Sequence, residues 1–251
     1  MFYFLMAPIL TYNWILIVSA VVPAIFLMVK VYRSDRLERE SPMLLGNLVV
    51  AGILSALIAM VLEWIGQAVL GAFVEENTRL YNIWLYFVVV AVSEEGSKYF
   101  MMRLRTWNSP EFNCQYDAVV YAVFVSLGFA LWENISYVMH YGFSTALVRA
   151  VTAIPGHACF GVFMGVFYGL DRGCSYLGEN GRATFFRVLT VLCPALIHGA
   201  YDYIASTTSG SSQWYFVAFI AVLFIVAYLL VNKLSKNDRY FALHHQNYRG
   251  F

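Results

Sequence analysis

Seven long apolar stretches follow one another along this chain of 251 residues, and they limit its fold more than any other feature. A helix of about 20 apolar residues crosses a hydrocarbon core of ~30 Å, so each stretch is long enough to span a membrane. The sequence therefore predicts an all-α, polytopic transmembrane bundle of about seven helices. The stretches lie at about 7–29, 43–62, 80–102, 118–140, 146–170, 184–205 and 213–231.

The composition supports a protein of the cell membrane. Hydrophobic residues make up 61% of the chain and charged residues 12%, whereas soluble domains average ~45–50% and ~25%. This composition excludes a soluble globular protein and a disordered one. No remaining segment is long enough for a soluble domain, so residues 1–251 are predicted to form a single integral membrane domain. The net charge of +1 gives no reason to expect a nucleic-acid partner.

The distribution of basic residues predicts the orientation in the membrane. Of the 16 Lys and Arg residues, all but three follow the first, third, fifth or seventh stretch, and therefore lie on one side. The opposite side has only Arg79 and Arg149, and Lys98 lies within the third stretch. Cytoplasmic loops of membrane proteins carry the excess of Lys and Arg. We therefore expect the N-terminus outside and the C-terminus in the cytoplasm.

Small residues recur every four positions in the fourth and fifth stretches. Stripes of this kind let two helix backbones approach closely in lipid, so these two helices are predicted to pack against each other. The stripes could equally serve a dimer, and the sequence leaves the oligomeric state open. They are Ala118, Ala122, Ser126 and Ala130 in the fourth stretch, and Gly161, Gly165 and Gly169 in the fifth.

Ionisable and amide side chains interrupt four consecutive stretches, at about 80–205. Such groups are costly at membrane depth and usually face the interior of a bundle. At a rise of 1.5 Å per residue their depths spread over about 12 Å, so the sequence allows them to meet between the midplane and the outer face without requiring it. They are Glu94, Glu95, Lys98, Glu133, Asn134, His157, His198 and Asp202.

Spacing within the helices predicts two pairs. Glu94 and Lys98 are four residues apart, so they share a helix face and can form an ion pair. His198 and Asp202 have the same spacing, and Asp202 is positioned to hold one tautomer of His198.

These groups suit hydrolysis of a peptide bond. Two adjacent buried carboxylates cannot both ionise cheaply, which leaves Glu94 or Glu95 available as a general base for a water molecule. A histidine could stabilise the oxyanion or protonate the leaving amine. His157 and His198 could equally hold Zn²⁺ together with carboxylates, although no HExxH motif supports this. Pro155 is expected to kink its helix and open the backbone near His157 toward a polar cavity.

Two other functions fit the same residues. Buried carboxylates and histidines also form the relays of cation or proton transporters, although no inverted repeat is visible. A non-catalytic scaffold that binds a partner helix would need the small-residue stripes but not the polar groups. Outside this set, Glu63, Glu75, Glu76 and Arg79 are interpreted as a solvated rim, and Asp117 as an N-cap.

Three short motifs carry a family resemblance. EEGSK at 94–98 fits an EExxK motif, FALWE at 129–133 fits FxxxE, and HGAYD at 198–202 fits HxxxD. Together they resemble the PrsW family of intramembrane proteases and are more distantly similar to the CAAX prenyl protease group. Glu133 stands where the latter group has a histidine, and Lys98 stands where it has an arginine one position later.

The resemblance implies a multi-pass protease that cleaves a membrane-anchored protein, such as an anti-sigma factor, at its extracytoplasmic side. That cut is the first step of a stress-response cascade in the family. By the same resemblance, Glu94 and Glu95 activate water with help from Glu133, while His198 and Asp202 bind the oxyanion or a metal. The expected partners are the lipid bilayer and a single-pass membrane substrate.

Overall fold

A computed structural model describes residues 2–207 and 210–241 of the chain. In these residues the fold is helical throughout, apart from connecting loops and one isolated β-bridge. A π-helical turn at Leu85–Val90 joins α3 to α4, and a 3-10 turn at Gly210–Ser212 precedes α9. The helices are α1 (Phe2–Ser34), α2 (Pro42–Phe73), α3 (Arg79–Trp84), α4 (Ala91–Thr106), α5 (Asp117–Tyr141), α6 (Phe143–Val151), α7 (Ala153–Tyr176), α8 (Asn180–Thr207) and α9 (Gln213–Lys236).

The helices correspond to the seven predicted stretches. The stretch α3–α4 is continuous through its π turn, and only Thr152 separates α6 from α7. In the described part of the chain, six helical stretches are long and apolar enough to cross a membrane. The remaining one, α3–α4, carries Glu94, Glu95 and Lys98 in its interior. The predicted all-α, polytopic bundle is confirmed, while the orientation of its termini stays a prediction.

The helix α2 is longer than predicted. Its apolar run continues beyond Glu63 to Phe73, so that Glu63 lies within the helix instead of on a solvated rim. The helix begins sharply because Ser41 caps it: the Ser41 side chain accepts a hydrogen bond from the Leu44 amide, and Pro42 follows as the first helical residue. Proline suits that position because the first amides of a helix need no intrahelical partner.

The predicted fifth helix is broken at Thr152. The backbone there has φ −120° and ψ −72°, and the Thr152 hydroxyl donates to the carbonyl of Val148 at 2.8 Å. Pro155 therefore lies in the first turn of α7 and does not kink a continuous helix, because its missing N–H is not needed there. As a consequence, His157 lies only about one turn inside α7.

Close contact between α5 and α7 forms the centre of the bundle. A Cβ atom added to Gly165 would lie 2.5 Å from the Val119 Cα, and one added to Gly161 would lie 2.9 Å from the Ala122 carbonyl oxygen. The packing predicted from the small-residue stripes is therefore confirmed. A second close crossing joins α2 to α5, where an added Cβ on Gly52 would meet the backbone of Val125.

Three loop segments interlock at one end of the bundle, and we call this the interlocked end: residues 35–41, 107–116 and 237–241. Cys114 and Tyr240 form the isolated β-bridge, and the amide of Phe241 donates to the carbonyl of Asn113 at 2.9 Å. The predicted N-cap role of Asp117 is wrong, because Asp117 is the first residue of α5. Its carboxylate instead accepts hydrogen bonds from the Asn113 and Cys114 amides, at 3.0 and 2.6 Å.

Candidate active site

The Lys98 ammonium lies at the centre of the polar residues inside the bundle. Its side chain is fully buried, and Nζ lies 2.7 Å from Glu95 Oε1 and 3.2 Å from Glu94 Oε2. Nζ also lies 3.2 Å from Nδ1 of His157. The ring of Phe129 covers the ammonium, with its centroid 3.9 Å away. The predicted Glu94–Lys98 pair is confirmed, and Lys98 also joins α4 to α7.

The contacts of His157 fix its tautomer. An ammonium group can only donate, so Nδ1 accepts from Lys98 and carries a lone pair. The other ring nitrogen, Nε2, lies 2.8 Å from Glu133 Oε2 and donates to that carboxylate. A carboxylate behind a histidine is the usual means by which proteins aim the opposite nitrogen at a cation. Glu133 therefore directs the His157 lone pair toward the centre of the site.

His198 lies between two carboxylates. Its Nδ1 is 2.9 Å from Glu95 Oε1 and its Nε2 is 3.3 Å from Asp202 Oδ2, which confirms the predicted His198–Asp202 pair. The ring of Phe160 stacks on the imidazole at 4.6 Å. The following residue, Gly199, lets α8 approach the π turn, because an added Cβ would lie 2.8 Å from the Phe87 Cα.

Arg149 is a component of the site that sequence reasoning missed. Its Nη2 atom lies 2.8 Å from Glu133 Oε2 and forms an ion pair with it, although the geometry does not meet that of a hydrogen bond. Its Nε donates to Asn134 Oδ1 at 2.9 Å, and its plane lies over Tyr137 at 4.1 Å. The Asn134 amide in turn donates to the carbonyl of Ala20 on α1, at 3.0 Å. Asn134 therefore supports the site through Arg149, and the only sequence signal was an arginine on the side poor in basic residues.

A cavity of about 580 Å³ opens beside these groups. Glu94 lines it, whereas Glu95 does not, so the adjacent glutamates occupy different positions. Glu63 on α2 also lines it, in contrast to the exposed rim predicted for that residue. The other acidic and basic residues that line the cavity are Glu133, Arg149, His157, His198 and Asp202.

The structure brings the predicted site residues into one connected network. The depths estimated from the helical rise per residue had spread them over about 12 Å. One reason is that α7 starts at Ala153 and not near residue 146, which brings His157 closer to the end of its helix. Another reason is that the estimate assumed straight helices perpendicular to the membrane, whereas helices in membranes are commonly tilted. Glu75, Glu76 and Arg79 are exposed and lie outside this network.

The donor atoms fit a divalent metal ion. Glu94, Glu95 and His157 each offer one ligand atom, and these atoms lie within 4.8 Å of one another. The Lys98 ammonium contacts all three residues, so the place they surround already suits a positive charge. Glu95 Oε2 is buried and has no hydrogen-bond partner among the described residues. Carboxylate oxygens and an imidazole nitrogen are common zinc ligands.

Comparison with known proteins gives consistent results. A family model described as PrsW family intramembrane metalloprotease matches residues 40–230. The chain is 31% identical over 227 residues to a "Protease PrsW" of Halalkalibacterium halodurans, covering 89% of this chain and 99% of that protein. It is 28% identical to proteins of the same name from Shouchella clausii, covering 88% and 97%, and from Bacillus subtilis, covering 77% and 84%. No solved structure gives a significant match.

Proposed function

This chain belongs to the PrsW family of intramembrane metalloproteases, and from that premise we propose that Glu94 activates the water that cleaves a single-pass membrane protein. The chain is a peptidase and a multi-pass protein of the cell membrane. The observation that carries the proposal is the unequal placement of two adjacent acids: Glu94 lines the cavity, whereas Glu95 is fully buried and does not line it.

In the proposed reaction, Glu94 accepts a proton from water as the water oxygen attacks the peptide carbonyl carbon. The carbon–nitrogen bond then breaks, and the same proton passes to the leaving amine nitrogen. His198 and Asp202 also line the cavity, at a place where they can contact the substrate carbonyl or the amine. Glu95 takes no part in the proton transfer in this scheme, since its Oε1 contacts both Lys98 and His198 and its side chain does not line the cavity.

The proposal assigns a metal ion, with zinc as the candidate, to one carboxylate oxygen each of Glu94 and Glu95 and one ring nitrogen of His157. The second oxygen of Glu94 then remains to accept the proton. When bound, such an ion supplies Lewis acidity that lowers the pKa of a coordinated water. Glu133 accepts from Nε2 of His157 and so leaves the Nδ1 lone pair available to the metal ion. Arg149 forms an ion pair with Glu133. Lys98 has to give up part of its contact with these ligands, so its ammonium competes with the metal for the same position.

The position of the cavity indicates at which depth in the membrane the substrate is cut. Side chains from α2, α4, α5, α6, α7, α8 and α9 line the cavity, so it lies between helices. His157 and Asp202 lie near the helix ends next to residues 142–153 and 207, the end that the basic residues assign to the outer face. We therefore propose that the cleaved bond lies near the outer leaflet, in a substrate of the anti-sigma type.

Cleavage of a co-expressed, doubly tagged single-pass protein tests this function. We expect full-length protein to accumulate with Glu94→Gln, because glutamine keeps the shape of the side chain but cannot accept the proton. Glu76→Gln is a matched control, because Glu76 is an exposed glutamate in the loop after α2. If Glu94→Gln in correctly folded protein cleaves as fast as Glu76→Gln, the assigned role of Glu94 is wrong.

A further inference from the structure

A second group of buried acids lies at the interlocked end, apart from the active site. Asp35 and Glu40 belong to the loop between α1 and α2, and Asp117 is the first residue of α5. Each offers a carboxylate oxygen, and these atoms lie within 4.8 Å of one another. All three side chains are at least nine-tenths buried, with residue exposures of 5%, 3% and 1%.

The oxygens of this group lack partners. Both carboxylate oxygens of Asp35 and both of Glu40 are buried without a hydrogen bond to any described residue. The Tyr121 hydroxyl, on a fully buried side chain next to Glu40, also has none. Among the described residues, no lysine or arginine forms an ion pair with these three acids, whereas Asp171 nearby in the fold pairs with Arg103 and Arg187.

The lack of an ion pair to these acids among the described residues has a clear electrostatic consequence. Burial, and the neighbouring carboxylate of Asp238, raise the pKa of Asp35 to about 6. Burial, Asp117 and Glu111 raise the pKa of Glu40 to about 9. Buried carboxylates without a counter-charge are costly, and proteins meet that cost by protonation or by binding a cation.

We propose that Asp35, Glu40 and Asp117 form a structural site for a hard divalent cation of the Mg²⁺ or Ca²⁺ class. All three donors are carboxylates, and the nearby Tyr121 offers another oxygen, which matches the ligand preference of these ions. Asp117 also lies near Cys114 and Asp238, but a thiol is a poor ligand for a hard cation. The ion would tie the α1–α2 loop to the start of α5.

The proposed site is separate from the active site. Asp117 and Glu133 lie on the same helix, 16 residues apart by number, which corresponds to about 24 Å along the axis. Asp117 also accepts hydrogen bonds from the Asn113 and Cys114 amides, which fixes one of its oxygens. The cation would therefore brace a region that already depends on loop contacts, and its loss should affect stability more than chemistry.

Thermal unfolding and terbium luminescence of the full-length protein in detergent test the proposal. The protein is first measured in chelator and then after addition of excess Mg²⁺ or Ca²⁺. At a cation concentration a hundredfold above Kd, we expect the thermal midpoint to rise by roughly 5–10 °C. The cation with the larger rise identifies the class of ion. Tb³⁺, a probe for oxygen-ligand sites, should show tyrosine-sensitised emission because Tyr121 lies beside Glu40.

The variants Asp35→Asn and Glu40→Gln should lose the cation-dependent rise in the thermal midpoint. Their terbium emission should be at least tenfold weaker than that of the parent. In chelator they should be as stable as the parent or more so, because each replaces a buried carboxyl group that has no ion-pair partner when the cation is absent. A fold defect would lower the chelator midpoint instead, so the two effects are distinguishable. His157→Ala, which removes a ligand of the active site, should keep the full response.

Glu38→Gln is the matched control, because Glu38 is an exposed acid of the same loop that bonds to Asn113 and Tyr240. It should keep both the terbium emission and the cation response. The proposal is overturned if neither Mg²⁺ nor Ca²⁺ moves the midpoint of the parent protein. It is also overturned if Asp35→Asn and Glu40→Gln respond as strongly as Glu38→Gln, which would indicate weak binding elsewhere.

Discussion

The Nζ atom of Lys98 lies 3.2 Å from Nδ1 of His157, and this contact organises the candidate active site. Since an ammonium donates and never accepts, the contact leaves Nδ1 as an acceptor and Nε2 as the donor to Glu133. The Lys98 ammonium also contacts Glu94 and Glu95. One side-chain cation thus holds together the residues that would surround a metal ion.

We expect the Lys98→Met variant to depend on added metal for its stability. Methionine has a similar length but no charge, so the carboxylates of Glu94 and Glu95 lose their buried partner. Removing one partner of a buried ion pair costs about 3–5 kcal/mol. In chelator the thermal midpoint should fall, and added Zn²⁺ should restore most of the loss. The parent protein should respond less to Zn²⁺, because Lys98 competes for the position.

The control is Lys233→Met, since Lys233 is exposed in the last turn of α9. It should leave both the midpoint in chelator and the zinc response unchanged. If Lys98→Met proves as stable as this control in chelator, the ammonium does not neutralise the glutamates. A midpoint that falls without recovering on addition of Zn²⁺ would argue against a metal site at this position.

The adjacent glutamates should separate into a chemical and a supporting role. Glu94→Gln should reduce cleavage by about 10²–10⁴-fold, the range typical of a lost general base. Its midpoint should change little, because Lys98 keeps its 2.7 Å contact with Glu95. Glu95→Gln should lower the midpoint by an amount consistent with about 3–5 kcal/mol, because it breaks the fully buried pair.

Both variants should be measured for cleavage rate and thermal midpoint in the same detergent. The opposite pattern, with stability lost in Glu94→Gln and kept in Glu95→Gln, would show that the roles are reversed. Glu179→Gln serves as the reference for a carboxylate in an exposed pair with Arg182, where little change is expected.

The sequence predicted the helices and the chemical groups better than it predicted their geometry. The costly charges at 94–98 and the His198–Asp202 spacing pointed to residues that the structure brings together, because burial in lipid leaves few other reasons for such groups. The break at Thr152 was not predictable from hydropathy, since both sides of it are apolar. Glu63 was misplaced for a related reason: a single acid does not end an apolar helix when it faces a polar cavity.

Arg149 could not be assigned from sequence, because its role depends on contacts between α5 and α6. We expect Arg149→Gln to slow cleavage by releasing Glu133, and thereby His157. Arg149→Lys should restore only part of the rate, because lysine cannot both reach Glu133 and occupy the place of the guanidinium over Tyr137.

Rates at several substrate concentrations separate positioning from substrate binding for Arg149. A role through His157 should lower kcat in Arg149→Gln, with KM changed less. Arg79→Gln is the control, since Arg79 is exposed at the start of α3 on the same predicted side. A pure rise in KM, restored in full by lysine, would indicate instead that Arg149 binds the substrate through its charge.

Gly165→Ala should disturb the candidate active site from two turns away. An added Cβ would lie 2.5 Å from the Val119 Cα and 2.7 Å from the Ala118 carbonyl, so α7 has to move away from α5. Overpacking of this kind costs about 1–3 kcal/mol. Because α7 carries His157, the shift should also lower the cleavage rate. Gly46→Ala is the matched control, since an added Cβ there meets no atom within 4 Å. Equal midpoints and equal rates for the two alanine variants would show that close packing of α5 and α7 does not position His157.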